Sequence, residues 1–201
     1  MKILAVSDEV ERVLYGPALE SYAGGVEAVV SCGDLPFDYL EYLVTVLGVP
    51  LFYVLGNHDP APENGKHPGG CTLLDGRIEE LGGHALAGLS GSHLYSDGPN
   101  QYTERQMRRR ARRLSSHIRR RTLFGRPAPD IFVSHAPPFG LGDREDVCHT
   151  GFESYLKLID RHHPSLWLHG HVHLYGPEPE RVTKRGSTRV VNVFGHRILE
   201  V

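Results

Sequence analysis

Five short, mostly apolar runs in this chain end in the same kind of residue, and that repetition constrains the fold more than any other feature. Residues 3–6 run into Ser7-Asp8, 27–32 into Gly33-Asp34, and 51–55 into Gly56-Asn57-His58-Asp59. Residues 130–134 run into His135, and 166–168 into His169-Gly170-His171-Val172-His173. Runs of this length, bounded by glycine and polar residues, predict short buried strands. Between them lie helical stripes. Tyr39, Leu40, Leu43, Val44 and Leu47 recur at helical spacing before Gly48 and Pro50, and Phe152, Tyr155, Leu156 and Ile159 do so before Pro164. Residues 10–22 are of mixed periodicity, with Pro17 able to open a short helix that Gly24-Gly25 stops. Strand–helix alternation with short links predicts a layered α/β fold. The stretch 60–70, with three prolines and three glycines, reads as a loop, and shorter β-like pieces follow at 76–79 and 84–89. Residues 181–184, 188–193 and 196–201 alternate and predict an antiparallel meander. With 201 residues and no repeat or linker, the chain is expected to form a single domain over 1–201.

The strand ends carry the chemistry. In open α/β sheets, ligands bind beyond the carboxyl ends of the strands. Here those ends offer Asp8, Asp34, Asn57, His58, His135, His171 and His173. Two residues apart in extended backbone, His171 and His173 point to one side. Taken singly, an Asp or Asn here is a helix cap and a His an ordinary loop residue. Taken together, buried carboxylates and imidazoles cost several kcal/mol unless paired or coordinated, and a shared cation satisfies them all. A set of Asp, Asn and His without Cys suits a hydrolytic centre with two metals roughly 3.5–4 Å apart. Asp34 is the natural bridging carboxylate, with Gly33 permitting close approach. His149 either reaches this centre or caps the helix after it, Arg144 is a candidate substrate contact, and Cys32 reads as a small core residue.

In their order, Asp8, Gly33-Asp34, Gly56-Asn57-His58-Asp59, Ser134-His135 and Gly170-His171-Val172-His173 resemble the motifs of the calcineurin-like metallophosphoesterase superfamily. The resemblance implies a four-layer αββα sandwich with two mixed β-sheets. It implies two divalent transition metals (Mn, Fe, Zn or Ni), one held by Asp8, Asp34 and His173, the other by Asp34, Asn57, His135 and His171. It implies hydrolysis of a phosphodiester or phosphomonoester by a metal-bound hydroxide, with His58 as general acid and Asp59 orienting it. The chain departs from the family in its first motif, Asp-x-His, which here is Asp8-Glu9-Val10. If the strand direction continues past Asp8, Val10 takes the side of the missing histidine and the first metal site is weakened, with water or Glu9 completing its shell.

The formal charge of −2 says little about partners, but residues 104–122 carry nine arginines against one glutamate, a local basic patch that the rest of the chain is acidic enough to cancel. Met107, Ala111, Leu114 and Ile118 recur there at helical spacing, so an amphipathic helix with a solvated basic face is expected. That face could also receive phosphate-rich ligands, which keeps a nuclease using residues 105–121 as an alternative to a small-phosphoester enzyme. A third alternative is a scaffold weakened by the loss of a metal ligand. Three cysteines without a pairing pattern, no signal-like start and no apolar run near 20 residues predict a cytoplasmic protein without membrane contact. Oligomeric state is not legible.

Overall fold

The computed structural model describes residues 1–61, 65–175 and 181–201. Of the expected loop at 60–70, residues 62–64 lie outside the described residues, and the rest carries no helix or strand. The first half of the chain winds β1 (Lys2–Ser7), α1 (Leu19–Ala23), β2 (Ala28–Ser31), α2 (Phe37–Leu47), β3 (Leu51–Tyr53) and β4 (Cys71–Leu73) into neighbouring parallel strands. A hairpin of β5 (Ile78–Leu81) and β6 (His84–Leu89) starts a second sheet. After the two-residue strands β7 (Ser92–His93) and β8 (Gln101–Tyr102) come α3 (Glu104–Leu123), β9 (Ile131–Ser134), α4 (Glu153–His162) and β10 (Leu166–His169). The chain finishes with β11 (Val182–Arg185), β12 (Thr188–Asn192) and β13 (Gly195–Glu200). The first sheet is ordered β13-β1-β2-β3-β4 and the second β11-β12-β10-β9-β6-β5. In both, the central strands are parallel and edge strands β13, β11 and β5 are antiparallel.

Alternation along the strands separates three apolar layers. In β1, Ile3 and Ala5 face the second sheet, while Leu4 and Val6 face α1 and α2. In β10, Leu166 and Leu168 enter the layer between the sheets, and Trp167 packs with α3 and α4. The result is the expected sandwich of helices, sheet, sheet and helices. Helix α3 opens on a capping box between Thr103 and Gln106, and it buries the expected stripe of Met107, Ala111, Leu114 and Ile118 against Phe132, Tyr155 and Trp167. Among the described residues no helix is long and apolar enough to cross a membrane.

The expected meander is corrected. Strands β11 and β12 do form a hairpin, but β13 crosses to the other sheet and pairs antiparallel with β1, from Ser7↔Gly195 to Lys2↔Glu200. Alternation reveals which face of a strand is buried and is silent about which sheet edge it joins. That pairing protects the β1 edge and brings the Met1 ammonium 2.7 Å from the Val201 carbonyl.

The sandwich predicts a contrast within the strands. Leu168→Ala, at a position 0% exposed between the sheets, is expected to cost roughly 2–5 kcal/mol, and an exposed strand substitution such as Glu200→Ala about 0.5 kcal/mol or less. Denaturant midpoints at unchanged m-value measure both. Equal midpoints for the two variants would contradict the assignment of layers.

Candidate metal centre

The carboxyl ends of β1, β2, β3, β9 and β10 meet along one rim of the sandwich. Three residues there bend the chain sharply. Asp8, Asp34 and His171 adopt left-handed backbone, with φ of 66°, 57° and 65°. Each such residue costs roughly 1–2 kcal/mol without a glycine, although Asp, Asn and His bear it best. At Asp8 the turn is tight enough for Glu9 N–H to donate to the Ser7 carbonyl at 2.7 Å. The strand direction therefore does not continue into Glu9 and Val10. Glu9 is exposed, and Val10 is half-buried against the apolar cluster under α1 and α2.

Two glycines permit the crowding. A Cβ on Gly33, whose φ is +95°, would lie 2.5 Å from Gly56 N and 3.0 Å from His135 Nδ1. A Cβ on Gly170 would run into the Ser7 hydroxyl and the Asp8 carboxylate. With neither Cβ present, the Asp8 carboxylate accepts from His171 N–H at 3.0–3.1 Å and so ties the end of β1 to the end of β10.

At the centre, three lone-pair atoms face one another. His135, 0% exposed, donates from Nδ1 to the Cys32 carbonyl at 2.8 Å. A carbonyl can only accept, so this contact places the proton on Nδ1 and leaves Nε2 bare in the neutral ring. That bare nitrogen lies 3.0 Å from Asn57 Oδ1 and 3.2 Å from Asp34 Oδ2, both acceptors. The Asn57 amide is oriented by its own Nδ2, which donates to Tyr95 Oη at 2.9 Å. His171 repeats the arrangement, since its Nε2 donates to the Cys148 carbonyl at 2.7 Å and Nδ1 is left free. Asp34, His135 and His171 each bring a ligand atom within 4.8 Å of the others.

A cation fits this set. Two ligands each about 2.1 Å from one metal and at right angles stand about 3 Å apart. Binding each imidazole's second N–H to a carbonyl is how proteins orient metal-binding histidines. The electrostatics agree. Burial opposes ionisation of Asp34, but the His135 ring and the His58 N–H outweigh it and hold its carboxyl down at about 2. Burial also disfavours a charged His135, yet the Asp34 and Asp8 carboxylates raise its proton affinity. Burial, followed by repulsion from His135, pushes His171 down to about 3. The pocket thus calls for one positive charge between Asp34 and His135, from a proton or from a metal, while His171 stays neutral.

The remaining sequence-derived residues lie around this core. His173 is looser: its Nε2 is 3.8 Å from Asp8 Oδ1, its Nδ1 is 3.1 Å from Tyr175 Oη, and its ring stacks on Phe194 at 4.7 Å. The His173 side chain is 45% exposed and that of Asp8 only 1%. His58 is exposed at the rim, and its backbone N–H donates to Asp34 Oδ1 at 2.8 Å. Asp59 accepts through Oδ2 from the N–H groups of Asp34 (2.9 Å) and Gly56 (2.8 Å), so it braces the turn that carries His58. Burial lifts its carboxyl to about 6. Arg144 donates to the His173 carbonyl at 2.5 Å. His149 pairs with Asp146 and lies 5.2 Å from the His171 ring, while the helix after it is capped at Phe152 without a side-chain bond. Cys32 is a buried free thiol. Sequence reasoning overlooked Tyr95, Asn100 and the Cys148 carbonyl. Asn100, also in left-handed backbone, donates to the Gly56 and Asp59 carbonyls and holds their loop from outside.

The fold recurs among solved structures. The protein TT1561 of Thermus thermophilus superimposes with a TM-score of 0.63 at 19% identity, over 96% of this chain and 89% of that one. GAP50, described as the anchor in the inner membrane complex of Plasmodium, gives 0.55 at 14% identity, over 96% and 70%. A comparison with curated proteins gave no match. A sequence model described as calcineurin-like phosphoesterase matches residues 18–175, a stretch that contains Asp34, Asn57, His58, His135, His171 and His173 and begins after Asp8. By that match over most of its length, the chain belongs to the calcineurin-like phosphoesterase family.

Proposed function

We propose that this protein is a metal-dependent phosphoesterase that hydrolyses a small phosphodiester or phosphomonoester. Asp34, Asn57, His135 and His171 hold one divalent cation, and Asp8, Asp34 and His173 hold a second more weakly. The observation that carries this reading is the set of inward-facing lone pairs on His135, Asn57 and Asp34. Nitrogen and oxygen donors without sulfur suit Mn, Fe, Zn or Ni. When bound, the cations supply positive charge for the phosphate oxygens and bring the pKa of a water toward neutrality.

The chain's own groups do the rest. Asn57 gives an oxygen without a charge, so the loaded centre stays attractive to an anion. Asp34 stays ionised across the physiological range because His135 and the His58 N–H stabilise its anion. His58 stands exposed at the rim, on the residue whose N–H holds Asp34 Oδ1. Its imidazole is the general acid, giving its proton to the departing alkoxide. Asp59 keeps the His58 turn in place through the Asp34 and Gly56 amides.

Three outcomes test this. Replacing the shared carboxylate, Asp34→Asn, is expected to abolish hydrolysis and lower metal content at both sites, read by elemental analysis beside turnover; near wild-type turnover would rule the assignment out. His58→Ala should leave metal content almost unchanged and lower turnover by roughly 10²–10⁴-fold, with a smaller loss for nitrophenyl esters, whose leaving groups need little protonation. An equal loss for alkyl and nitrophenyl esters would contradict the acid role. The half-exposed His173 and the absence of a histidine at Val10 make the Asp8 side the weaker one. Metal titration of the wild type should resolve a tight and a weak site, with activity rising as added Mn²⁺ fills the weak one; two equally tight sites would show that another group completes the shell.

A further inference from the structure

Helices α3 and α4 start together, where Ser154 N–H donates to Glu104 Oε1 at 3.1 Å, and a cavity of about 670 Å³ opens between them. Its floor is small and buried, formed by Ala111, Ser115, Ser154 and Leu158. Its walls carry cations in register. Arg108, Arg112 and Arg119 lie on one stripe of α3, and Lys157 and Arg161 face them from α4. None of these residues belongs to the metal centre.

The expected solvated basic face is present, with Arg112, Arg119, Lys157 and Arg161 exposed, but among the described residues these cations have no carboxylate to pair with. The acid in the lining, Asp160, is already held by Arg185 through two bonds of 2.6 and 2.7 Å. Elsewhere on the helix Arg110 is neutralised by Asp75, and Arg121 by Glu80. Among the described residues, no carboxylate lies within 4.0 Å of Arg112, Arg119, Lys157 or Arg161. Arg108 is only 3.7 Å from Glu104, and its buried Nε has no hydrogen bond. Four to five like charges lining one concave surface give it a positive potential that attracts anions. The neighbouring His162 registers the crowding: after burial, Arg161, His163 and Arg119 depress its pKa. Independently, Ser154 is 2% exposed, lines the cavity, and leaves its hydroxyl without a hydrogen-bond partner. Buried hydroxyls are normally bonded, so this one is a donor awaiting an acceptor.

We infer that the α3–α4 cleft is a binding site for a small oligophosphate, separate from the metal centre. Its lining contains no aromatic ring on which a base could stack, which disfavours single-stranded nucleic acid. The walls leave a space of small-molecule size, within the range of ligand pockets. Arginine forks and a serine hydroxyl match phosphate oxygens carrying several negative charges. The phosphate chain is the recognised part, and it can come from an inorganic oligophosphate or from a nucleoside triphosphate.

Isothermal titration of the full chain as purified, with sodium tripolyphosphate and with a non-hydrolysable ATP analogue, tests this. Both ligands should bind, more weakly as salt rises. Equal affinities assign the cleft to the phosphate chain alone, and tighter binding of the analogue to a nucleotide. The double variant Arg112→Ser/Arg161→Ser should weaken binding at least about tenfold, because each arginine supplies charge-assisted hydrogen bonds. Ser154→Ala should weaken it less, with the thermal midpoint near wild type. Asp34→Asn should leave binding intact. Unchanged affinity in the double variant, or loss of binding in Asp34→Asn with the cleft intact, would overturn the proposal. So would tight binding of a DNA duplex by a protein that does not bind tripolyphosphate.

Discussion

The hydrogen bond from His135 Nδ1 to the Cys32 carbonyl joins the two sheets at the rim and fixes which nitrogen faces the centre. His135 follows β9 in one sheet, and Cys32 follows β2 in the other. The bond therefore depends on the sheets keeping their separation, which the layer of Ile3, Ala5, Val30, Val133, Leu168 and Val191 maintains. Packing in that layer is dense, so a small change in one strand is felt at the rim. Because Nδ1 is committed, Nε2 is bare, and its contacts with Asn57 Oδ1 and Asp34 Oδ2 bring acceptors together with no proton to share unless His135 becomes charged.

Strain is concentrated at the same rim. Asp8, Asp34 and His171 are three of the five described non-glycine residues with positive φ; the other two, Asn100 and His163, lie just before β8 and just after α4. The strain is offset by local bonds: His171 N–H to Asp8, His58 N–H to Asp34, and Asp34 N–H to Asp59. Backbone held in sparsely populated regions and over-determined by its surroundings is characteristic of functional sites. Here it turns the Asp34 carboxylate and the His171 imidazole out of line with their strands and toward His135, and sets the Asp8 carboxylate on the His171 amide.

Much of this was legible in the sequence because it depends on local rules. Apolar runs gave the central strands, helical spacing gave α2, α3 and α4, and the polar ends of five runs marked the rim. What escaped was set by distant parts of the chain. Nothing near Asn57 reveals that Tyr95 orients its amide, and nothing near His171 reveals that the Cys148 carbonyl holds its Nε2. The excursion of β13 to β1 was hidden because alternation is the same in either sheet. The conformation at Asp8 was hidden because a left-handed aspartate leaves no signature in composition. The nine arginines of residues 104–122 read as one basic face. Only the packing of α3 on α4 separates those neutralised by Asp75 and Glu80 from those left facing the cleft.

The central claim is that one cation belongs between Asp34, Asn57, His135 and His171. Anomalous diffraction from crystals grown with Mn²⁺ tests it most directly. The account predicts a peak within coordination distance, roughly 2.0–2.3 Å, of His135 Nε2, Asn57 Oδ1, the Asp34 carboxylate and His171 Nδ1. A map without a peak at that point, and with His135 Nε2 hydrogen-bonded directly to Asp34, would show that a proton rather than a metal resolves the convergence and would contradict the account.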